Sequence, residues 1–194
     1  MHDTTGLLNP AAPPGKSQRY AKPERERRFL LAGCPPGSVE RTTHIVDRYF
    51  VGTRLRLRKA LETRGTSTET YYQLTQKIPA PEGGPGLLCT TYLNSEEYAL
   101  LALLPGAVLR KTRYSIPPFG VDEFAAPLKG LFLAEVEFDD AAAMAAFHPP
   151  AWIIAEVTFD SRFSGGNLVS TQPEDLAALL ASFAVDLATR TERS

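Results

Sequence analysis

The stretch ERERRFLL, Glu24 to Leu31, carries alternating charges up to the edge of an apolar run. In a strand, the side-chain period of two puts Glu24, Glu26 and Arg28 on one face and Arg25, Arg27 and Phe29 on the other. Two glutamates become neighbours by construction, and like charges held side by side destabilise a sheet unless something of opposite sign compensates them. The same pattern recurs along the chain. In RLRLRK, Arg54, Arg56 and Arg58 share a face opposite Leu55 and Leu57, and in YYQLTQK, Lys77 falls with Thr75 and Gln73. Lys111 and Arg113 stand together in RKTRY, Glu135 and Glu137 in AEVEF, and Glu156, Thr158 and Asp160 in EVTFD.

An amphipathic strand on its own suits a sheet that packs through its apolar face and leaves its charges in water. The segregation of sign argues otherwise. A solvated face gains by mixing charges across strands, whereas here the neighbours Glu24/Glu26 and Glu135/Glu137 are purely acidic and Arg56/Arg58 and Lys111/Arg113 purely basic. Turned inward, such faces make a barrel with a polar, charged lumen. Carboxylates gathered without His or Cys suit a hard cation, Mg2+ or Mn2+. Arginines and lysines gathered opposite them suit phosphate oxygens. The pattern therefore points to a metal-polyphosphate site.

The remaining features set limits. The 194 residues make one domain with tails, and 21 Lys+Arg against 22 Asp+Glu leave a net charge of -1, which gives no global field for nucleic acid or an anionic membrane. No run reaches the ~18 apolar residues of a membrane span, and the N-terminus lacks a secretory pattern. Cys34 and Cys89 have no metal spacing and are expected as reduced thiols of a cytoplasmic protein. Three scattered histidines argue against a histidine metal site or a serine triad. Residues 1–22, rich in Pro, Gly and Ala, read as a disordered leader before a single domain over 23–190. Alternation predicts about eight strands, at 24–32, 44–50, 54–60, 70–78, 108–116, 120–124, 131–138 and 152–160. Helices are expected over 95–104, over 140–147, and from Pro173 to about Ala188.

With these residues in place the sequence resembles the CYTH superfamily, the triphosphate tunnel metalloenzymes, which includes class IV adenylyl cyclases, thiamine triphosphatases and inorganic tripolyphosphatases. Glu24, Glu26 and Arg28 take the place of its ExExK hallmark, with Arg where the family has Lys. Arg56 and Arg58, then Lys77, then Lys111 and Arg113 match its basic strands, Val121-Asp122-Glu123-Phe124 its IDEF-like segment, and Ala134-Glu135-Val136-Glu137 its acidic strand. Val157-Thr158-Phe159-Asp160-Ser161-Arg162-Phe163 matches its late motif.

The resemblance covers roughly residues 22–170. It implies an α+β fold, an eight-stranded antiparallel barrel with helices packed outside. Glu24, Glu26, Glu135, Glu137 and Asp160 would hold one or two Mg2+ or Mn2+ ions, and Arg56, Arg58, Lys77, Lys111, Arg113 and Arg162 the triphosphate. Glu24, Glu26 and Arg28 would be catalytic. The implied activity is hydrolysis of a triphosphate compound, foremost inorganic tripolyphosphate, by a metal-activated water. The alternatives are an adenylyl cyclase acting on ATP and a polyphosphate- or nucleotide-binding module without turnover. The expected partner is a small-molecule triphosphate, with neither nucleic acid nor membrane, and outward apolar strand faces suit a homodimer. Tyr71, Tyr72 and Trp152 have a purine-stacking reading beside the commoner one of outer-core aromatics.

Overall fold

Residues 26–31 form a strand, and the parity read from them holds. The computed structural model of the protein describes residues 21–78 and 86–185. All but the last two residues of the expected leader lie outside the described residues, as does the end of the expected third helix. The strands are β1 (Lys22–Pro23), β2 (Glu26–Leu31), β3 (Arg41–Phe50), β4 (Leu55–Arg64), β5 (Ser67–Ile78), β6 (Leu87–Leu93), β7 (Gly106–Ile116), β8 (Phe119–Phe124), β9 (Phe132–Glu137) and β10 (Ile153–Glu156). They pair antiparallel in the order β1-β6-β5-β4-β3-β7-β8-β9-β2-β10.

This corrects the expectation of a closed eight-stranded barrel. Ten strands form one sheet, and its ladders leave β1 and β10 as edges. The sheet nevertheless curls, because β1 and β2 lie toward opposite ends of the order yet are joined only by Glu24 and Arg25. The Glu24 amide donates to the Gly86 carbonyl at 2.8 Å, and the Phe138 amide donates to the Arg25 carbonyl at 2.8 Å. Two residues of main chain thus bridge the β6 and β9 sides. Alternation predicts neither β1 nor β6, since Leu87-Leu88-Cys89-Thr90-Thr91-Tyr92-Leu93 has no charged face to mark its period. The expected strand over 152–160 stops at Glu156, where the Val157 amide turns to the Arg28 carbonyl at 2.8 Å.

Two apolar clusters lie on opposite faces of the sheet. The odd residues Phe29 and Leu31 of β2 pack outward with Val121, Ala134, Val136, Phe119 and the partly buried Phe147 and Trp152. The even residue Leu30 packs inward with Leu109, Phe124 and Leu133. Helix α1 (Ser95–Leu101) starts in a capping box, Asn94 accepting from the Glu97 amide while the Glu97 side chain accepts from the Asn94 amide. It lies outside, Tyr98 against Tyr72 with centroids 4.6 Å apart. Helix α2 (Ala141–Ala146), capped by Asp140, leads into Phe147 on the outer cluster.

The last two helices do not follow the expected exterior packing. Leu168 of α3 (Gly165–Leu168) and Leu176 and Leu180 of α4 (Pro173–Ala181) are buried with Leu30, Leu109 and Leu133 on the inner face. They stop one end of the curled sheet because the inner face is apolar there. Any larger residue at Gly165 would have to displace the Tyr49 side chain, since a Cβ would lie 1.9 Å from the Tyr49 hydroxyl. Among the described residues, no helix is long and apolar enough to cross a membrane.

The inner face also buries an ion pair within the sheet. Asp47 of β3 and Arg58 of β4 are register partners, Asp47 is 1% exposed, and Arg58 Nε and Nη2 donate to its two oxygens at 2.7 and 2.8 Å. Burial alone would raise the Asp47 pKa, but Arg58, with Arg56 and Lys111, holds it down at about 2. A carboxyl depressed in the folded state adds stability above its unfolded value, near 4, and loses that stability as pH falls toward the folded value. We therefore expect on the order of 2 kcal/mol of folding stability to disappear between about pH 4 and pH 2 through this group. Urea midpoints should fall more steeply over that range in the parent than in Asp47→Asn, and equal slopes would show the pair to be without effect.

Candidate functional site

The concave face gathers most of the charges that the sequence marks. Glu24, Glu26, Arg28, Arg56, Arg58, Lys77, Lys111, Arg113, Glu135 and Glu137 line one cavity, with Tyr49, Leu88, Leu109, Phe124, Leu133, Phe163, Gly165 and Leu168 completing its wall and floor. Alternation along β2, β4, β5, β7 and β9 sends them there, and strand register sets who faces whom. Glu26 stands opposite Glu137 and Arg28 opposite Glu135 across β2 and β9.

Arg28 is the hub of the acidic side. Its guanidinium donates to Glu26, to Glu135 Oε1 at 3.1 Å and to the Phe163 carbonyl at 3.3 Å, which ties β2 to β9 and to the turn before α3. Lys77 reaches Glu24 at 2.5 Å. On the basic side, Arg113 grips Asp122 with two bonds of 2.7 Å and also donates to Glu135, while Lys111 pairs with the same Asp122.

Burial works on these groups unequally. It would raise Glu135, but Arg113, Lys111 and Arg28 hold that carboxyl well below the usual carboxylate range. Glu26 goes the other way, to about 7, through burial and the repulsion of Glu135 and Glu24, which Arg28 and Lys77 only partly offset. Burial lowers Lys111 despite Asp122 beside it.

Asp160 and Arg162 are not among the cavity's lining residues. They pair with each other at 2.6 Å where the chain leaves the sheet, the Asp160 side chain capping a 3-10 turn at Ser161–Phe163. The late motif also contributes structure: Thr158 Oγ1 accepts the Arg28 amide at 3.0 Å, and Phe163 and Leu168 form the floor. Tyr72 and Trp152 belong to the outer packing, Trp152 against Phe119 at 4.8 Å.

Sequence reasoning gave no role to Asp47, Asp122 or Tyr49. Asp47 and Asp122 are 1% exposed and hold the basic residues in place. The parity of β3 carries the signal, because Thr43, Ile45, Asp47 and Tyr49 share a face on which an aspartate is out of character.

The donor chemistry fits a hard divalent cation. Glu24, Glu26, Glu135 and Glu137 face one space, Glu26 is raised first by burial and then by its carboxylate neighbours, and Glu137 has no ion pair among the described residues. The present side-chain positions do not bring three such groups to metal-ligating spacing among the described residues, because Arg28 and Lys77 engage the glutamates instead.

No family model matches the chain. An inorganic triphosphatase of Nitrosomonas europaea is 32% identical over 165 residues, covering 77% of this chain and 99% of that protein. One of Acetivibrio thermocellus is 42% identical over 159 residues, covering 75% and 92%. A crystal structure of an inorganic triphosphatase, 29% identical, matches the fold over 77% of this chain and 99% of that one with a TM-score of 0.50. With its charges ordered inside a curled antiparallel sheet and relatives matched over nearly their whole length, the chain belongs to the inorganic triphosphatases of the CYTH superfamily.

Proposed function

We propose that the protein is a metal-dependent hydrolase of triphosphate compounds, with inorganic tripolyphosphate as its substrate, and that residues 23–190 act as one domain. The observation that carries this reading is the cavity lined at once by four glutamates and six cationic side chains. A cavity of one sign would bind either a metal or an anion. This one accommodates the two together, and the relatives' activity agrees with that pairing.

Glu24, Glu26, Glu135 and Glu137 would hold Mg2+ or Mn2+, which when bound would supply a Lewis acid for a water nucleophile and for phosphoryl oxygens. The basic residues take up the charge of the triphosphate. Lys111 and Arg113, fixed by Asp122, and Arg56 and Arg58, beside Asp47, present oriented donors to phosphoryl oxygens as charge shifts during transfer. Arg28 bridges both sides, through Glu26 and Glu135, and stays cationic where the family's lysine could titrate. The apolar floor and the α3–α4 stopper exclude water from the inner end.

Phosphate release from tripolyphosphate is expected with Mg2+ or Mn2+ and is expected to vanish in excess chelator. Full release in chelator would overturn the metal role. Glu137→Gln removes a donor that no ion pair requires, so it should lower the metal-dependent rate by about 10–100-fold while the urea midpoint stays near the parent's.

The β2 parity has its own test. Arg27 lies on the outer face, donating to Glu156 at 2.6 and 2.9 Å and to the Phe147 carbonyl at 2.7 Å. Arg27→Ala should therefore lower stability by about 1–3 kcal/mol and spare tripolyphosphate affinity. Arg28→Ala should lose both affinity and turnover, and Arg28→Lys should keep affinity within about tenfold. The reverse ranking in calorimetric titrations would put β2 out of register.

A further inference from the structure

Strand β10 leaves the sheet halfway across a rung, and that rung carries Arg28. Glu156 is the register partner of Phe29, so one more residue of strand would pair Val157 with Arg28 and exchange two main-chain hydrogen bonds with it. One of the two is made, the Val157 amide donating to the Arg28 carbonyl at 2.8 Å. The other is not, because the Val157 carbonyl turns away to accept the Asp160 amide at 3.2 Å. The Thr158 hydroxyl takes its place. Its Oγ1 accepts the Arg28 amide at 3.0 Å, a side chain standing where the ladder would have had a carbonyl.

That hydroxyl is itself oriented. Thr158 Oγ1 lies 2.7 Å from Glu156 Oε1 and 3.5 Å from the Arg28 carbonyl, so its hydrogen goes to the nearer, charged acceptor. With the hydrogen committed to Glu156, the oxygen turns a lone pair to the Arg28 amide.

Placement matters more at Arg28 than elsewhere on β2. Its amide and carbonyl both serve the β10 side, which makes Arg28 and Glu135 a pair without mutual main-chain bonds, the kind whose side chains stand closest. That closeness lets Nε reach Glu135 at 3.1 Å while Nη2 meets Glu26 and Nη1 meets the Phe163 carbonyl at 3.3 Å. The main chain at this hub is therefore anchored by Val157 and Thr158 rather than by β9.

We propose that Thr158, oriented by Glu156, is a positioning residue of the catalytic wall, its hydroxyl fixing the main chain of Arg28 and with it the three-way placement of the guanidinium. Thr158 does not line the cavity and acts only through Arg28. The kinetic part of the inference rests on the triphosphatase reading. Misplacing such a group by about an ångström costs up to on the order of a hundredfold in rate, so one missing hydroxyl has a measurable consequence.

Thr158→Val removes the hydroxyl and keeps the shape. It should lower kcat for tripolyphosphate about tenfold, while affinity measured in chelator stays within about threefold because the guanidinium is still a cation in the same cavity. Thr158→Ala, smaller and equally without a hydroxyl, should behave in the same way, and Thr158→Ser should restore kcat to within about threefold of the parent. The single ammonium of Arg28→Lys cannot make the three-way bridge, so in that background Thr158→Val should cost less than about threefold. A purely structural role predicts a lower urea midpoint with kcat unchanged where the variant is folded, or an equal kcat loss in both backgrounds, and either result would overturn the positioning. A second readout needs no turnover. The Nε–Hε resonance of Arg28 in NMR spectra, assigned by its disappearance in Arg28→Lys, should move in Thr158→Val and hold in Thr158→Ser. An unmoved resonance in Thr158→Val would sink the proposal. A resonance that moves in a protein releasing no phosphate from tripolyphosphate would instead overturn the triphosphatase reading and leave the anchoring of Arg28 standing.

Discussion

A charge taken out of water needs a partner held in place, and this requirement shapes the inside of the sheet. Unpaired, a buried ion costs several kcal/mol, and removing one member of a buried pair is worse than never having had the pair. Asp47 and Asp122, both almost wholly buried, meet the requirement for Arg58, Lys111 and Arg113. Because the partners sit on neighbouring strands, the same rungs that build the sheet also aim the cations. Donors aimed before the substrate arrives need no reorganisation when charge moves, which is where the advantage of a folded site over free ions in water lies.

The same face changes character along its length. On β2, Glu26 and Arg28 are followed on the inner side by Leu30, and on β9, Glu137 and Glu135 are followed by Leu133. The charged half is therefore backed by a dry floor, which α3 and α4 complete with Leu168, Leu176 and Leu180. A low-dielectric floor strengthens every interaction above it, and it accounts for a glutamate such as Glu26 being driven to about 7 while Glu135, among three cations, is driven the opposite way.

Much of this was legible in the sequence wherever charge marked the strand period. Parity alone sends Glu24, Glu26, Arg28, Arg56, Arg58, Lys77, Lys111, Arg113, Glu135 and Glu137 to one face, and the cavity contains all of them. What escaped lacks such a mark. The uncharged β6 shows no period, and β1 is too short to show one. Asp160 and Arg162 share the parity of Glu156 only if the strand continues, and the turn after Glu156 takes them away. Nor does alternation say whether a curled sheet closes its ladder or what stops its end. Those are decided by contacts between residues far apart in sequence, such as the inward leucines of α4.

The two-residue bridge between β1 and β2 bears on the order in which the protein is made. Chains emerge from the ribosome N-terminus first, and contacts between distant segments form late. Glu24 and Glu26 are synthesised early, but β1 must wait for β6, and β2 must wait for β9 and then β10 near the far end of the chain. The seam at Glu24 and Arg25 cannot be complete before Gly86 and Phe138 have been made, so the acidic half of the cavity waits for β9. A nascent chain thus carries its future ligand groups in the open for most of its synthesis, unable to cradle a polyphosphate until the final strands have arrived.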